Sequence, residues 1–323
     1  MDAVSPEASG IVNQLLTGNK LALARAISNV ENGNTPILKS IFKHTGRAYY
    51  IGVTGPPGAG KSTLVNQITC QLLDNHKKVG VIAVDPTSPF SGGALLGDRI
   101  RMSDLTTREG VFIRSMASRG SLGGLAKATK NVALLFDAFG MDYIIIETIG
   151  VGQVELDIAS VCDTVVVALV PESGDAIQAM KAGLLEIADI ITVNKADREG
   201  ADRVAIELKF ITELRNTKCE WEYPITKTIA TEGKGIDELM SLIELHQQYL
   251  KISGNFEYKR KQRIKERIKE LIDDKIRNLI EKDILTDEKL DTLVNKIYAR
   301  ELDPFQTTDE ITRTLFQAIQ NEK

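Results

Sequence analysis

The chain has 323 residues, with 40 Lys and Arg against 44 Asp and Glu, for a formal net charge of −4. That balance excludes the overall basic field that draws a protein onto nucleic acid. Hydrophobic residues make up 43% and charged residues 26%, an ordinary globular mix in a chain long enough for one large domain with extensions, and no apolar run approaches the roughly 20 residues of a membrane helix.

The opening stretch, "MDAVSPEASGIVNQLL", has no basic segment leading into an apolar core. Its Asp2 and Glu7 do not suit an organelle transit peptide, so the expected location is the cytoplasm. Two short amphipathic helical patterns follow, "IVNQLL" and "LALARAISNVE", joined at Gly18-Asn19 and ended by Gly33-Asn34-Thr35-Pro36. Residues 1–45 therefore read as an N-terminal helical extension.

Across 46–252 the chain alternates helical segments with the apolar runs "YYIGV", "VGVIAV", "VFIRS", "DYIIIE", "DTVVVALV" and "ADIITVN". These runs are short, β-branched and continuous, as expected of strands buried on both faces. The rhythm predicts an α/β domain built on a mostly parallel sheet with helices on both sides.

The first run leads into "GPPGAGKS", Gly55 to Ser62, and then into a helical pattern. The spacing G-x-x-x-x-G-K-[ST] is the P-loop pattern. Glycines let successive N–H groups turn inward onto a polyphosphate, and the following helix adds its N-terminal dipole. The predicted nucleotide contacts are Gly55, Pro57, Gly58, Ala59, Gly60, Lys61, Ser62 and Thr63. Lys61 is expected to reach the β- and γ-phosphates, and the Ser62 hydroxyl to ligate Mg2+. A plain Gly/Pro turn before a helix would need no Lys-Ser at its end.

Next comes "VDPTSPFSGGALLGDRIRM", in which Asp85 and Asp98 flank a stretch rich in Ser, Gly and Pro. Asp85 is expected to end a strand beside the P-loop strand, within reach of the magnesium sphere. A surface loop with stray acids is the alternative. The Gly92-Gly93 segment reads as a switch that orders on nucleotide. "SRGSLGGL" is either a second switch contact or a helix start.

The segment "YIIIETIGVGQVE" is a strand ending in Glu147, with Gly150 three positions on. This is the layout of a γ-phosphate-sensing loop, with Glu147 near the metal and the Gly150 N–H at the phosphate. Where Ras-like enzymes place a water-orienting glutamine, this chain has Val151, and Gln153 lies two further on. Slow intrinsic hydrolysis is the expectation.

Asn194-Lys195-Ala196-Asp197 follows the strand "ADIITV" and reads N-K-x-D, the guanine-specifying signature. A carboxylate only accepts, and guanine offers N1–H and its 2-amino group side by side, so Asp197 selects guanine over adenine. The Lys195 stem can cover the base plane. Thr228, Ile229 and Ala230, after the last strand, occupy the place of a further base-contacting loop.

After residue 252 the chain becomes charge-dense, and 253–323 reads as a helical arm. Ile264, Ile268, Leu271, Ile272, Ile276, Leu279 and Ile280 fall on one helical face. That stripe either lies on its own domain or forms a dimer contact. Cys70, Cys162 and Cys219 lie far apart and His44, His76 and His246 form no cluster, so the thiols read as reduced and no transition-metal site is expected.

Together "GPPGAGKS", "VDPTSPFSGGALLGDRIRM", "RGSLGGLA", "ETIGVGQVE" and "NKAD" resemble the MeaB/ArgK family of GTPases, the chaperones of methylmalonyl-CoA mutase, over nearly the whole chain. The resemblance implies a SIMIBI-class P-loop NTPase that is homodimeric and cycles between GTP and GDP with Mg2+. It implies that the protein binds an adenosylcobalamin-dependent acyl-CoA mutase, gates its cofactor loading, and protects or reactivates it. It implies a phosphate–magnesium site of Lys61, Ser62, Asp85, Asp98 and Glu147, with Lys61, Asp85, Glu147 and Gly150 in the hydrolytic machinery. It also makes "PESGDAIQAMKAG" an additional switch, in which Asp175, Gln178 and Lys181 couple nucleotide state to the partner. Three rivals are a metal-delivery GTPase for a nickel enzyme, a kinase acting on transport proteins, and a structural helical dimer with a vestigial site. The first lacks its usual Cys/His ligands here, the second lacks a kinase catalytic loop, and the third does not fit an intact Lys61-Ser62 and Asp197.

Overall fold

A computed structural model of the chain describes residues 6–86, 103–118, 127–148, 154–171, 183–215, 221–280 and 286–321. Three helices open it: α1 (Pro6–Leu16), α2 (Lys20–Glu31) and α3 (Pro36–Ile41). The Asn19 side chain starts α2 by accepting from the Leu21 and Ala22 N–H groups, the usual duty of an N-cap amide. Alternation then begins with β1 (Tyr49–Thr54), α4 (Lys61–Asp74), β2 (Val79–Pro86), the single turn α5 (Ser103–Thr106), β3 (Val111–Ser118), α6 (Lys127–Phe139) and β4 (Tyr143–Glu147). It continues with α7 (Val154–Asp157), β5 (Thr164–Leu169), α8 (Leu184–Ile187), β6 (Ile190–Asn194), α9 (Ala201–Arg215), β7 (Ile225–Thr228) and α10 (Ile236–Ile252). The chain ends in α11 (Asn255–Leu279), α12 (Asp287–Tyr298) and α13 (Pro304–Asn321).

The strands form one seven-stranded sheet in the order β3-β2-β4-β1-β5-β6-β7, and every ladder is parallel. Six strands are the six apolar runs. β1, β5 and β6 are buried at every position, as their lack of alternation requires. β7, at the sheet edge, reads "ITKT" and exposes Lys227.

One expectation is corrected here: β2, which carries Asp85, does not lie beside the P-loop strand β1. β4 stands between them, with Val53 of β1 and Ala83 of β2 both paired to Glu147. Neighbours in sequence are commonly neighbours in space, but β2 and β4 are both apolar enough for an interior slot, and β4 takes the one beside β1. β3 then takes the edge, where its Phe112, Ile113 and Arg114 are half-buried.

Side chains of β1 point alternately to two cores. Tyr49, Ile51 and Val53 pack with Leu64, Val65 and Ile68 of α4 and with Leu239 and Ile243 of α10. Tyr50 faces the other core, with Ile144 and Ile146 of β4 and Phe136 of α6. The N-terminal helices belong to that second core, where Leu15, Leu23, Ile27 and Ile41 are fully buried. Arg114 of β3 also grips Glu31 of α2 with two guanidinium nitrogens, a fork geometry suited to a carboxylate.

Met1–Phe256 forms one compact unit and Glu257–Lys323 a second. In the second unit, Ile264, Ile268, Leu271, Ile272 and Ile276 of α11 are between 37% and 53% exposed. Lys261 pairs with Glu257, Arg267 with Glu270 and Lys269 with Glu266, the i,i+3 and i,i+4 pattern of a solvated helix.

Candidate functional site

In a parallel sheet all strands end along one edge, and ligands collect there. The Gly55–Gly60 loop leaves β1 at that edge. Gly55 has φ +141°, and a Cβ there would lie 2.0 Å from the Ala168 carbonyl oxygen of β5. Gly60 has φ +82°, and a Cβ there would lie 2.4 Å from the Asn194 Nδ2. Both positions combine left-handed backbone with a filled space, so only glycine fits. Gly60 is also the cap of α4 and makes no side-chain cap hydrogen bond, and a helix N-terminus suits an anion.

Lys61 is only 6% exposed, and its Nζ donates to the carbonyls of Gly55 at 2.7 Å and Pro56 at 2.9 Å. The ammonium thus sits under the loop. Next to it, the Ser62 hydroxyl donates to Glu147 Oε1 at 2.6 Å. Ser62 is the second residue of α4 and Glu147 the last of β4, and both are buried. A hydroxyl and a carboxylate meeting at one point are hard oxygen donors, the kind Mg2+ takes. Asp85 lies at the end of β2, two positions beyond Ala83, the residue level with Glu147. Asp98, Gly150, Asp175, Gln178 and Lys181 lie outside the described residues, as do Val151 and Gln153.

The structure brings the predicted base loop to the same edge through one residue. Asn194, 2% exposed at the end of β6, donates from Nδ2 to the Ala59 carbonyl at 2.8 Å. Its Oδ1 accepts from the Ala230 N–H and from the Thr228 hydroxyl, both at 3.1 Å. The Thr228 hydroxyl also lies 3.0 Å from that of Thr192. Asn194 therefore joins the phosphate loop to the Thr228–Ala230 loop, a role the sequence reading did not give it. The signal was available: a side-chain amide offers donors and an acceptor from one end, so it can bridge two backbones.

Lys195 follows with φ +57°, and the Ala196 N–H donates to the Thr228 carbonyl at 3.0 Å. This turn leaves Asp197 exposed at the edge. The nearby Lys234 ammonium is held above its ordinary pKa, first by its hydrogen bond to Glu232 and more weakly by the charge of Asp197.

The model of the Methylmalonyl Co-A mutase-associated GTPase MeaB family matches residues 23–284. A putative GTPase of Pyrococcus abyssi is 46% identical over 94% of this chain and 96% of its own length. GTPase ArgK of Escherichia coli is 37% identical over 78% of this chain and 79% of its own. A Caenorhabditis elegans relative named methylmalonic aciduria type A homolog, mitochondrial, is 29% identical over 96% of this chain and 84% of its own. The crystal structure of a LAO/AO transport system kinase superposes with a TM-score of 0.71 at 27% identity, covering 99% of this chain and 100% of that one. Because the matched span takes in the phosphate loop, the Glu147 strand end and the Asn194 turn, and because relatives of this length and identity are named GTPases, the chain belongs to the MeaB family and hydrolyses GTP.

Proposed function

We propose that this GTPase is the nucleotide-driven chaperone of an adenosylcobalamin-dependent acyl-CoA mutase, with methylmalonyl-CoA mutase as client. The observation that carries the partner is the family match over residues 23–284. The name of the Caenorhabditis elegans relative supports it. GTP and GDP forms present different surfaces to the mutase, and hydrolysis resets the cycle that gates cofactor loading, protection and reactivation. The protein acts in the cytoplasm as a homodimer, with the 253–323 arm as the dimer contact.

In this reading the N–H groups of the Gly55–Thr63 stretch cradle the phosphates and Lys61 lies against the β- and γ-oxygens. Asp197 takes the guanine N1–H and 2-amino group, with Lys195 along the base and Thr228, Ile229 and Ala230 beside it. Ser62, Glu147, Asp85 and Asp98 would hold Mg2+, and the approach of the first two at 2.6 Å supports that fit. Bound there, the metal would neutralise charge on the phosphates. The Gly150 N–H faces the γ-phosphate, and water attacks in line. Asp175, Gln178 and Lys181 transmit the nucleotide state.

Pull-down from source extract, with the protein held in a non-hydrolysable GTP analogue and separately in GDP, tests the proposal. Nucleotide-dependent capture of a cobalamin-dependent mutase supports it. Capture of a nickel enzyme or a transporter, with no mutase although one is present in the extract, overturns the assigned purpose and leaves the GTPase standing.

A further inference from the structure

β1 presents two unusual residues to the core that faces away from α4. Gly52 has no side chain, and a Cβ there would lie 2.8 Å from Ile158 and 3.0 Å from the Cys162 Sγ. Thr54, the last residue of the strand, is fully buried. Its hydroxyl accepts from the Thr148 hydroxyl at 2.9 Å, and Thr148 is only 1% exposed. The Thr148 N–H also donates to the Val53 carbonyl at 3.1 Å, which extends the β1–β4 ladder one residue past Glu147.

Residues Glu147 and Thr148 thus point to opposite faces at the point where the chain leaves the sheet. Glu147 meets Ser62 on the α4 side, and Thr148 meets Thr54 on the other. At the far end of the same connection, Ile158 seats on the bare Gly52. Thr148 and Ile158, on either side of residues 149–157, therefore both meet the strand that launches the phosphate loop. Packing alone would be served at 54 and 148 by valine, which has the shape of threonine and suits a strand. A hydroxyl pair is directional and has one best geometry, whereas two methyl groups in contact can slide.

We propose that Thr148 is a positioning residue for GTP hydrolysis: its buried hydroxyl bond to Thr54 fixes where the γ-phosphate-facing loop departs from the phosphate-loop strand. This rests on the reading, given above, that the loop after Glu147 faces the γ-phosphate. Binding of GDP, which has no γ-phosphate, does not draw on the bond. The rate of hydrolysis does, because a displacement of about 1 Å costs up to about 100-fold in rate.

The test uses the full chain and compares Thr148→Val, Thr148→Ser, the double variant Thr54→Val/Thr148→Val, and Glu147→Gln. Single-turnover GTP hydrolysis, affinity for labelled GDP and thermal melting are measured for each. Thr148→Val is expected to slow hydrolysis by about 10- to 100-fold while GDP affinity stays within about twofold. It lowers the melting temperature, because it strands the Thr54 hydroxyl. Thr148→Ser keeps the hydroxyl and recovers most of the rate. The double variant removes both hydroxyls and recovers melting temperature without recovering rate. A wild-type rate in Thr148→Val, a recovered rate in the double variant, or GDP affinity falling in step with rate overturns the proposal. If Glu147→Gln slows hydrolysis while Thr148→Val does not, the positioning role alone fails. If Glu147→Gln also hydrolyses normally, the reading of the loop fails and the proposal with it.

Discussion

Asn194 and Ala59 lie 2.8 Å apart, side-chain amide to backbone carbonyl, so the last residue of β6 holds the phosphate loop that follows β1. The same side chain accepts from the Ala230 N–H, so the loop proposed to hold phosphate and the loop proposed to hold the base belong to one hydrogen-bonded unit. Asn194→Ala is expected to weaken GTP and GDP binding together and to cost about 1–3 kcal/mol of stability, since it strands buried backbone groups. Asn194→Asp keeps the acceptor and loses the donor to Ala59, so it falls between. Nucleotide titration and urea unfolding check both. Loss of GTP binding with GDP binding intact would contradict a shared latch.

Lys61 is buried beneath the loop and is the one ammonium hydrogen-bonded to its carbonyls among the described residues. Lys61→Ala is expected to lower single-turnover GTP hydrolysis by at least about 100-fold, the scale seen when one preorganised donor is removed. The protein should still fold, as followed by circular dichroism. Hydrolysis at the wild-type rate would remove Lys61 from the mechanism.

Asp197 is exposed in the turn that follows β6. Asp197→Asn replaces a pure acceptor with a group that also donates, which suits xanthine better than guanine. The preference for GTP over xanthosine triphosphate is expected to fall at least about tenfold. Stability should change by no more than about 0.5 kcal/mol at so exposed a position. An unchanged preference in a competition assay would show that another residue reads the base.

At the opposite edge of the sheet, the Tyr49 hydroxyl lies 2.5 Å from that of Thr164, which in turn bonds His246 Nδ1 at 2.8 Å. Burial pushes the Tyr49 pKa well above its ordinary value, and the Tyr143 hydroxyl is raised for the same reason. The folded state therefore keeps these protons longer than the unfolded chain does. Their contribution is intact below the ordinary tyrosine pKa of about 10 and is lost as pH rises beyond it. Urea unfolding between about pH 8 and 11 is expected to show that decline, and Tyr49→Phe should flatten it in part. An identical slope in the variant would rule out Tyr49 as a source.

The α11 stripe is partly exposed along its length. Ile268 is 53% exposed in the middle of it. If the arm joins two copies, Ile268→Glu converts a dimer to a monomer in light scattering with little loss of helix by circular dichroism. A monomeric wild-type protein, or a dimer untouched by the variant, would reject the arm as the dimer contact.

Much of this molecule was legible because burial leaves a plain mark. Continuous β-branched runs gave six strands, and the P-loop and N-K-x-D spacings marked two loops that the sheet then brought to one edge. What could not be read was lateral order. Nothing in "VGVIAV" distinguishes the slot next to β1 from the one beyond it, because either slot is buried on both faces. The bridging role of Asn194 was hidden for a related reason: its partners, Ala59 and Ala230, are backbone groups, which carry no residue signature. The N-terminal helices read as an extension because their apolar stripes do not say which wall they cover.

That wall has a consequence for synthesis. Leu15, Leu23 and Ile27 are fully buried in a core completed by α6, whose Phe136 lies roughly 100 residues later in the chain. At about 5–20 residues per second on the ribosome, the first three helices emerge some 5–20 s before the surface that shelters them exists. A newborn chain of this protein thus carries its own need for protection, at the end that is made first.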